Sequence, residues 1–178
     1  MNTKKKITEK QNPESNNIHK KDVKDILAII NKQDAKISKS ISVIIPLIEK
    51  FILSLVESLL KGGRLIYVGS GSSGRLGVLD AAECPPTFNT KKNLIVGVIA
   101  GGNQALSESI ENAEDDRSDG SRQMLKLNIT KNDVILGISA SGSTPFVLGA
   151  IEEAYNNRCI TGLITFNKIK KSKIVKHL

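Results

Sequence analysis

Apolar residues first recur at helical spacing. Residues 22–32 carry a short helical pattern, and a longer one runs from Asp34 to Lys61. In the longer one Ile37, Ile41, Ile44, Ile48, Phe51, Ile52, Leu55 and Leu59 follow at steps of three and four. That period lines one face of an α-helix. Pro46 lacks a backbone donor and is expected to kink or split the helix. Gly62 and Gly63 supply its stop. Then the period changes. RLIYV (64–68), NLIVGVIA (93–100), DVILGIS (133–139) and ITGLITF (160–166) are short apolar runs typical of buried strands. Helix candidates lie between them near 73–81, 104–112, 117–127 and 145–156. Strand–helix alternation predicts a parallel sheet with helices on both faces, an α/β three-layer sandwich. The polar residues 1–20 read as an N-terminal arm, 21–61 as a helical segment and 62–178 as the α/β domain.

Composition agrees with this picture. A chain of 178 residues fits one domain with tails. Aromatics make up only 3% and Trp is absent, so the core must be built from Ile, Leu, Val and Ala, as suits buried parallel strands. The net charge of +8 gathers at the ends. Lys4, Lys5, Lys6, Lys10, Lys20, Lys21 and Lys24 crowd the start, and Lys168, Lys170, Lys171, Lys173 and Lys176 the end. Without interleaved aromatics these runs read as solvated tails, not as a nucleic-acid surface. Cys84 and Cys159 have no C-x-x-C spacing and point to a reducing compartment. The longest apolar stretch, ISVIIPLIEKFILSLVESLL, contains Glu49, Lys50 and Glu57 and is too polar to span a membrane. The basic N-terminus is not followed by a signal-like apolar run. A cytoplasmic protein with neither membrane nor nucleic-acid partners is expected.

Ligands of open α/β sheets bind beyond the carboxyl ends of the strands. That rule selects Gly69–Gly74, Gly101–Gly102, Ala140–Pro145 and the stretch after Phe166. GSGSSG (69–74) fits the dinucleotide pattern G-x-G-x-x-G letter for letter. That reading also needs an acid at the end of the second strand, where VIAGGNQ has none, and Glu83 comes too early. No G-K-[ST] follows, so a nucleoside-triphosphate loop is disfavoured as well. Two small, hydroxyl-rich loops, GSGSSG and SASGST, instead suit a phosphate monoester held by backbone amides and hydroxyls. Ser72, Ser73, Ser139, Ser141 and Thr144 are the candidate ligands. The plainer alternative for either loop is an ordinary tight turn.

Two carboxylate places stand out. In AAECPPTF, Pro85 and Pro86 are expected to lie outside a helix, leaving Glu83 at a helix end or in a stiff loop. There it reads as an acid or base, or as a plain surface glutamate. In ENAEDDRSDG, Glu114, Asp115 and Asp116 adjoin one another beside Arg117. Mutual repulsion could poise one of them near neutrality. Alternatively the cluster is a solvated turn with Asp115 or Asp116 as the N-cap of the next helix. The only histidines, His19 and His177, lie in the tails, and no cluster has metal-ligand spacing. Chemistry by two carboxylates, without metal or cofactor, is the expectation.

GGRLIYVGSGSSGRLGVLDAAECPPTF, IAGG, ENAEDD and GISASGSTPFVLGAI together resemble the N-acetylmuramic acid 6-phosphate etherases, members of the SIS (sugar isomerase) superfamily of phosphosugar-binding domains. TEKQNPES resembles that family's N-terminal segment. The resemblance implies a SIS-like fold with flavodoxin-like winding, a homodimer and a phosphosugar substrate. It implies cleavage of the lactyl ether of N-acetylmuramic acid 6-phosphate to N-acetylglucosamine 6-phosphate and D-lactate, by elimination and then addition of water. The family's catalytic glutamates fall on Glu83, as proton donor to the leaving lactate, and on Glu114, as base at C2. Its phosphate ligands fall on Ser73, Ser139, Ser141 and Thr144. Two departures stand out. Ser143 occupies a position where the family usually has Arg. After Phe166 the family usually reads Asn-Pro and continues through another strand to a helical domain, whereas here Asn167 precedes KIKKSKIVKHL. A sheet short of one strand, with an exposed edge, is therefore expected. SIS domains also serve in non-catalytic regulators, which would keep the serine loops without needing both glutamates. A phosphosugar isomerase is disfavoured because no core His or Lys is evident as its base.

Overall fold

Helix α1 (Val23–Leu60) runs unbroken for 38 residues in the computed structural model, which describes residues 6–170 and 172–177. Residues 1–5, with Lys4 and Lys5, as well as Lys171 and Leu178, lie outside the described residues. Asp22 caps α1 by accepting the Asp25 amide at 2.8 Å. The helix is not split at Pro46. Proline leaves only the Ser42 carbonyl without its helical donor, and that residue is exposed, where water can serve it. Among the described residues no helix is long and apolar enough to cross a membrane.

Four strands follow: β1 (Leu65–Gly69), β2 (Ile95–Ile99), β3 (Val134–Ile138) and β4 (Ile160–Ile164). They pair in parallel in the order β2-β1-β3-β4. This is flavodoxin-like winding, with the order reversing between β1 and β3. The crossovers carry helices α2 (Gly71–Phe88), α3 (Arg117–Lys126) and α4 (Pro145–Asn156). Side chains alternate along the strands. Ile66, Val68 and Ile135 meet Met124, Phe146, Val147 and Ile151 of α3 and α4. Leu65, Val134 and Leu136 meet Phe51 and Leu55 from the end of α1. The expected three layers are present, and the core is mostly aliphatic, though Phe146 and Met124 are also fully buried in it.

Two local expectations need correction. Pro85 and Pro86 lie inside α2, which ends at Phe88 with Asn89 in the left-handed conformation as its C-cap. They fall in the final turn, where helical φ suits proline and only two amide donors are lost. Residues 104–112 do not form a helix. A 3-10 turn covers Gly102–Leu106 and another covers Ala113–Asp115. Arg75 explains the difference: its guanidinium donates to the carbonyls of Leu106 (3.1 Å) and Glu108 (2.8 Å), which a continuing helix would need.

Helices α3 and α4 approach closely through two glycines. A Cβ on Gly120 would stand 1.9 Å from the Phe146 carbonyl oxygen, and one on Gly149 would stand 2.0 Å from that of Arg117. Alanine normally stabilises a helix interior relative to glycine. Here the backbone contact reverses the sign. Gly149→Ala should destabilise the fold by about 2 kcal/mol, read as a lower urea midpoint with an unchanged slope.

The C-terminal tail is not merely solvated. Residues 172–177 return alongside β4, where the Leu163 amide donates to the His177 carbonyl (2.9 Å) and the His177 amide to that of Thr161 (3.1 Å). A parallel bridge joins Gly162 and His177. The His177 ring stacks edge-on against Phe51, 5.7 Å away. Burial, with the neighbouring Lys176 charge, holds its pKa below the ordinary histidine value. The outer edge of β4 is thus partly covered, by a bridge instead of a fifth strand.

Candidate functional site

The strand order places the two hydroxyl-rich segments side by side. Gly69 and Ile138 are register partners at the ends of β1 and β3, on strands about 4.8 Å apart. The segments that follow therefore open into the crevice where the winding reverses.

The first segment is less a loop than a helix start. Ser70 is the extended N-cap of α2, and Gly71, Ser72 and Ser73 form its first turn. Gly71 has φ +51°, a conformation glycine adopts freely. Gly74 lies against the end of β1: a Cβ there would meet the Gly69 carbonyl oxygen at 2.8 Å. The first-turn amides have no helical acceptor and, together with the dipole of an 18-residue helix, favour an anion. Ser72 is exposed and Ser73 half-buried.

The second segment is a hydroxyl network. Buried Ser139 shares a 2.7 Å hydrogen bond with Thr144 and accepts the Gly142 amide at 3.1 Å. Ser141 stands 3.4 Å from Ser139 and accepts from the Ser143 hydroxyl at 3.1 Å. Thr144 is the N-cap of α4 but makes no capping bond with its side chain. Ser139 is thus committed to holding the turn, while Ser141 and Thr144 are the more open of the three.

Glu114 sits on the 3-10 turn Ala113–Asp115, where it accepts the Ser70 hydroxyl at 3.1 Å on Oε2. This contact joins the acidic turn to the start of α2. Between them lies a cavity of about 240 Å³ lined by Ser70, Gly71, Arg75, Glu108, Asn112 and Glu114, among others. The rest of the acidic cluster faces elsewhere. Asp116 caps α3 by accepting the Asp119 amide at 2.8 Å. That amide, with Arg122, holds its carboxyl below the usual range, opposite to the neutral acid that crowding suggests. Arg117 pairs with Glu152 on α4 at 2.8 Å.

Glu83 is not brought to this cavity. It lies exposed on α2, 12 residues beyond Gly71 and so about 18 Å along the helix. Within one chain the two candidate carboxylates are apart. Ser70 and Arg75 were absent from the sequence-based candidates, although both lie in or beside GSGSSG. Ser70 was detectable as the residue between a strand end and a helix start, where an N-cap hydroxyl is common.

Comparisons with known proteins bear on the family and the fold. Residues 47–155 match the family described as glucokinase regulatory protein N-terminal SIS domain. The chain is 47% identical to an N-acetylmuramic acid 6-phosphate etherase of Pasteurella multocida over 90% of its own length and 54% of that relative. It is 46% identical to the enzyme of the same name from Bacteroides thetaiotaomicron, over 91% of this chain and 58% of that one. It thus spans little more than half the length of these relatives. Among solved structures it is similar to a phosphoheptose isomerase from Neisseria gonorrhoeae, with a TM-score of 0.61 at 18% identity, covering 79% of this chain and 72% of that one. A phosphoheptose isomerase from Francisella tularensis gives a TM-score of 0.56 at 23% identity, covering 76% and 74%. At such identities the structural likeness speaks for the fold alone.

Proposed function

This chain belongs to the SIS-domain family, among relatives named N-acetylmuramic acid 6-phosphate etherase, and we propose that it binds a phosphosugar and carries out that etherase reaction. The observation that carries the reading is the placement of Glu114. Its carboxylate is tethered to Ser70 at the edge of a helix N-terminus suited to phosphate. A sugar 6-phosphate anchored at the strand ends would direct its ring toward that carboxylate.

The chemistry follows from an open-chain aldehyde, which acidifies the hydrogen on C2. Glu114 takes that proton, the C3–O bond breaks, and a protonated Glu83 gives its proton to the departing lactyl oxygen. D-Lactate leaves an unsaturated aldehyde. Water then adds at C3 while a proton returns to C2, giving N-acetylglucosamine 6-phosphate. One carboxyl must be ionised while the other is neutral, the divided role that acid–base chemistry asks of a carboxylate pair.

Since Glu83 lies about 18 Å along α2 from the phosphate end, the reading requires a second copy to supply it. The outer length of α1 supports pairing. Ile37, Ile44 and Ile48 are 56%, 45% and 38% exposed, so the helix presents its apolar face to solvent in a single chain. Expected in solution is a homodimer that releases D-lactate from N-acetylmuramic acid 6-phosphate, measured by coupled lactate oxidation. Binding of N-acetylglucosamine 6-phosphate without lactate release would favour the second reading, a non-catalytic phosphosugar regulator. Two observations favour that alternative: the matched family description, and the distance of Glu83 from the cavity. Absence of both binding and turnover would sink both readings.

A further inference from the structure

We propose that Lys6, carried by the N-terminal arm, is the cation of the phosphate site at the β3–α4 turn. The inference rests on the phosphosugar reading and deepens it. The turn from Ser139 to Thr144 contains hydroxyls and backbone amides but no charge of its own. Lys6 comes to it from 137 residues away in sequence: its Nζ donates to the Ser143 Oγ at 2.5 Å. Ser143 in turn donates to Ser141. The ammonium therefore stands at the open end of the hydroxyl network and next to the N-terminus of the 12-residue α4. Among the described residues Lys6 forms no ion pair with a carboxylate.

The arm is held there by a built contact. Asn167, 8% exposed, accepts the Ile7 amide at 2.7 Å on Oδ1. Its Nδ2 donates to the Thr8 hydroxyl at 3.1 Å and to the Ala140 carbonyl at 3.0 Å. One buried amide thus fastens the residues following Lys6 to the same turn whose hydroxyls Lys6 meets. Gly142 adds to the fit: φ is +69°, and a Cβ would stand 2.7 Å from the Thr165 Oγ1. The clasp fixes the arm's backbone and leaves the lysine's long side chain to reach the anion. A dianionic phosphate monoester matches this set of donors: an ammonium, two open hydroxyls and the Phe146 and Val147 amides of the first turn of α4, whose leading Pro145 has none.

The test is calorimetric titration of the full chain with N-acetylglucosamine 6-phosphate, using neutral N-acetylglucosamine as the control. Lys6→Gln should weaken binding of the phosphate by about tenfold, as loss of a charge-assisted hydrogen bond does, while Lys6→Arg should stay close to wild type. Circular dichroism checks that each variant is folded. If Lys6→Gln binds like wild type while Ser141→Ala loses affinity, the inference fails and the phosphosugar reading stands. If Lys6→Arg falls as far as Lys6→Gln, the lysine only fastens the arm and the inference is overturned. If the wild-type chain does not bind the phosphate, the underlying reading fails and takes the inference with it.

Discussion

Glu114→Gln is expected to lower D-lactate release by about a thousandfold while leaving sugar-phosphate binding within a few-fold of wild type. The amide keeps the shape of the side chain and can still meet Ser70, which stands 3.1 Å from Oε2. It cannot take a proton from C2, and loss of a positioned base removes roughly two to four orders of magnitude. Glu83→Gln should be comparably damaging through the leaving group. Mixing the two inactive variants provides a sharper test. If Glu83 of one protomer serves Glu114 of the other, a mixed dimer keeps one site with both glutamates. Random reassortment of equal amounts then restores about a quarter of wild-type activity, as follows from two-fold symmetry. If both glutamates served one site from the same protomer, every site would lack one of them and the mixture would stay inactive. Recovery of lactate release on mixing, followed by coupled oxidation, distinguishes the two arrangements.

Asp133→Ala is expected to destabilise the fold strongly, by about 3–5 kcal/mol, because it strands a partly buried cation. Asp133 is 1% exposed. Its Oδ1 accepts the Arg64 amide (2.9 Å) and Nε (3.0 Å), and its Oδ2 accepts Arg64 Nη2 (2.8 Å) and the Thr130 amide (2.8 Å). This fork ties the start of β1 to the approach to β3, the two central strands. Burial alone would raise the Asp133 pKa, but the Arg64 hydrogen bonds, the Thr130 amide and the Arg64 charge together keep it below the usual value. The sign for acid stability follows. A carboxyl depressed in the fold binds its proton more readily when unfolded. Its contribution is complete above the unfolded value of about 3.9 and is lost as pH falls below that toward the folded pKa. Urea melts of wild type and Asp133→Ala should therefore differ fully at pH 7 and converge in strong acid. A gap that persists unchanged below pH 3 would contradict the assignment.

Most of the α/β domain was legible because its signals are local. Short aliphatic runs, helix periods and the Gly62-Gly63 stop depend only on neighbours within a few residues, and the strands appear within a residue or two of their expected places. The misreadings arose where a distant group overrode a local preference. QALSESIEN has helical composition, but Arg75 from α2 takes the carbonyls of Leu106 and Glu108. ENAEDD shows crowded acids, yet Asp116 is committed to the Asp119 amide and Glu114 turns to Ser70. KIKKSKIVKHL shows a lysine-rich tail, but Ile174 and Val175 pack on the core beside β4. At Pro46, Pro85 and Pro86 the helices continue through proline. Pro46 sits on an exposed helix, where water can serve the freed Ser42 carbonyl, and Pro85 and Pro86 sit in a last turn.

By itself the sequence determined the class of fold, the two serine-bearing turns and the absence of the dinucleotide acid, since each of these is a property of residue type at short spacing. Only the tertiary structure decided what those turns meet. Strand order set GSGSSG beside SASGST, Asn167 fastened Ile7, the residue after Lys6, to the second turn across 160 residues of chain, and helix rise carried Glu83 away from Glu114. The physical reason is that spacing fixes periodicity, while encounters between distant residues depend on how whole elements pack, and no local pattern records that.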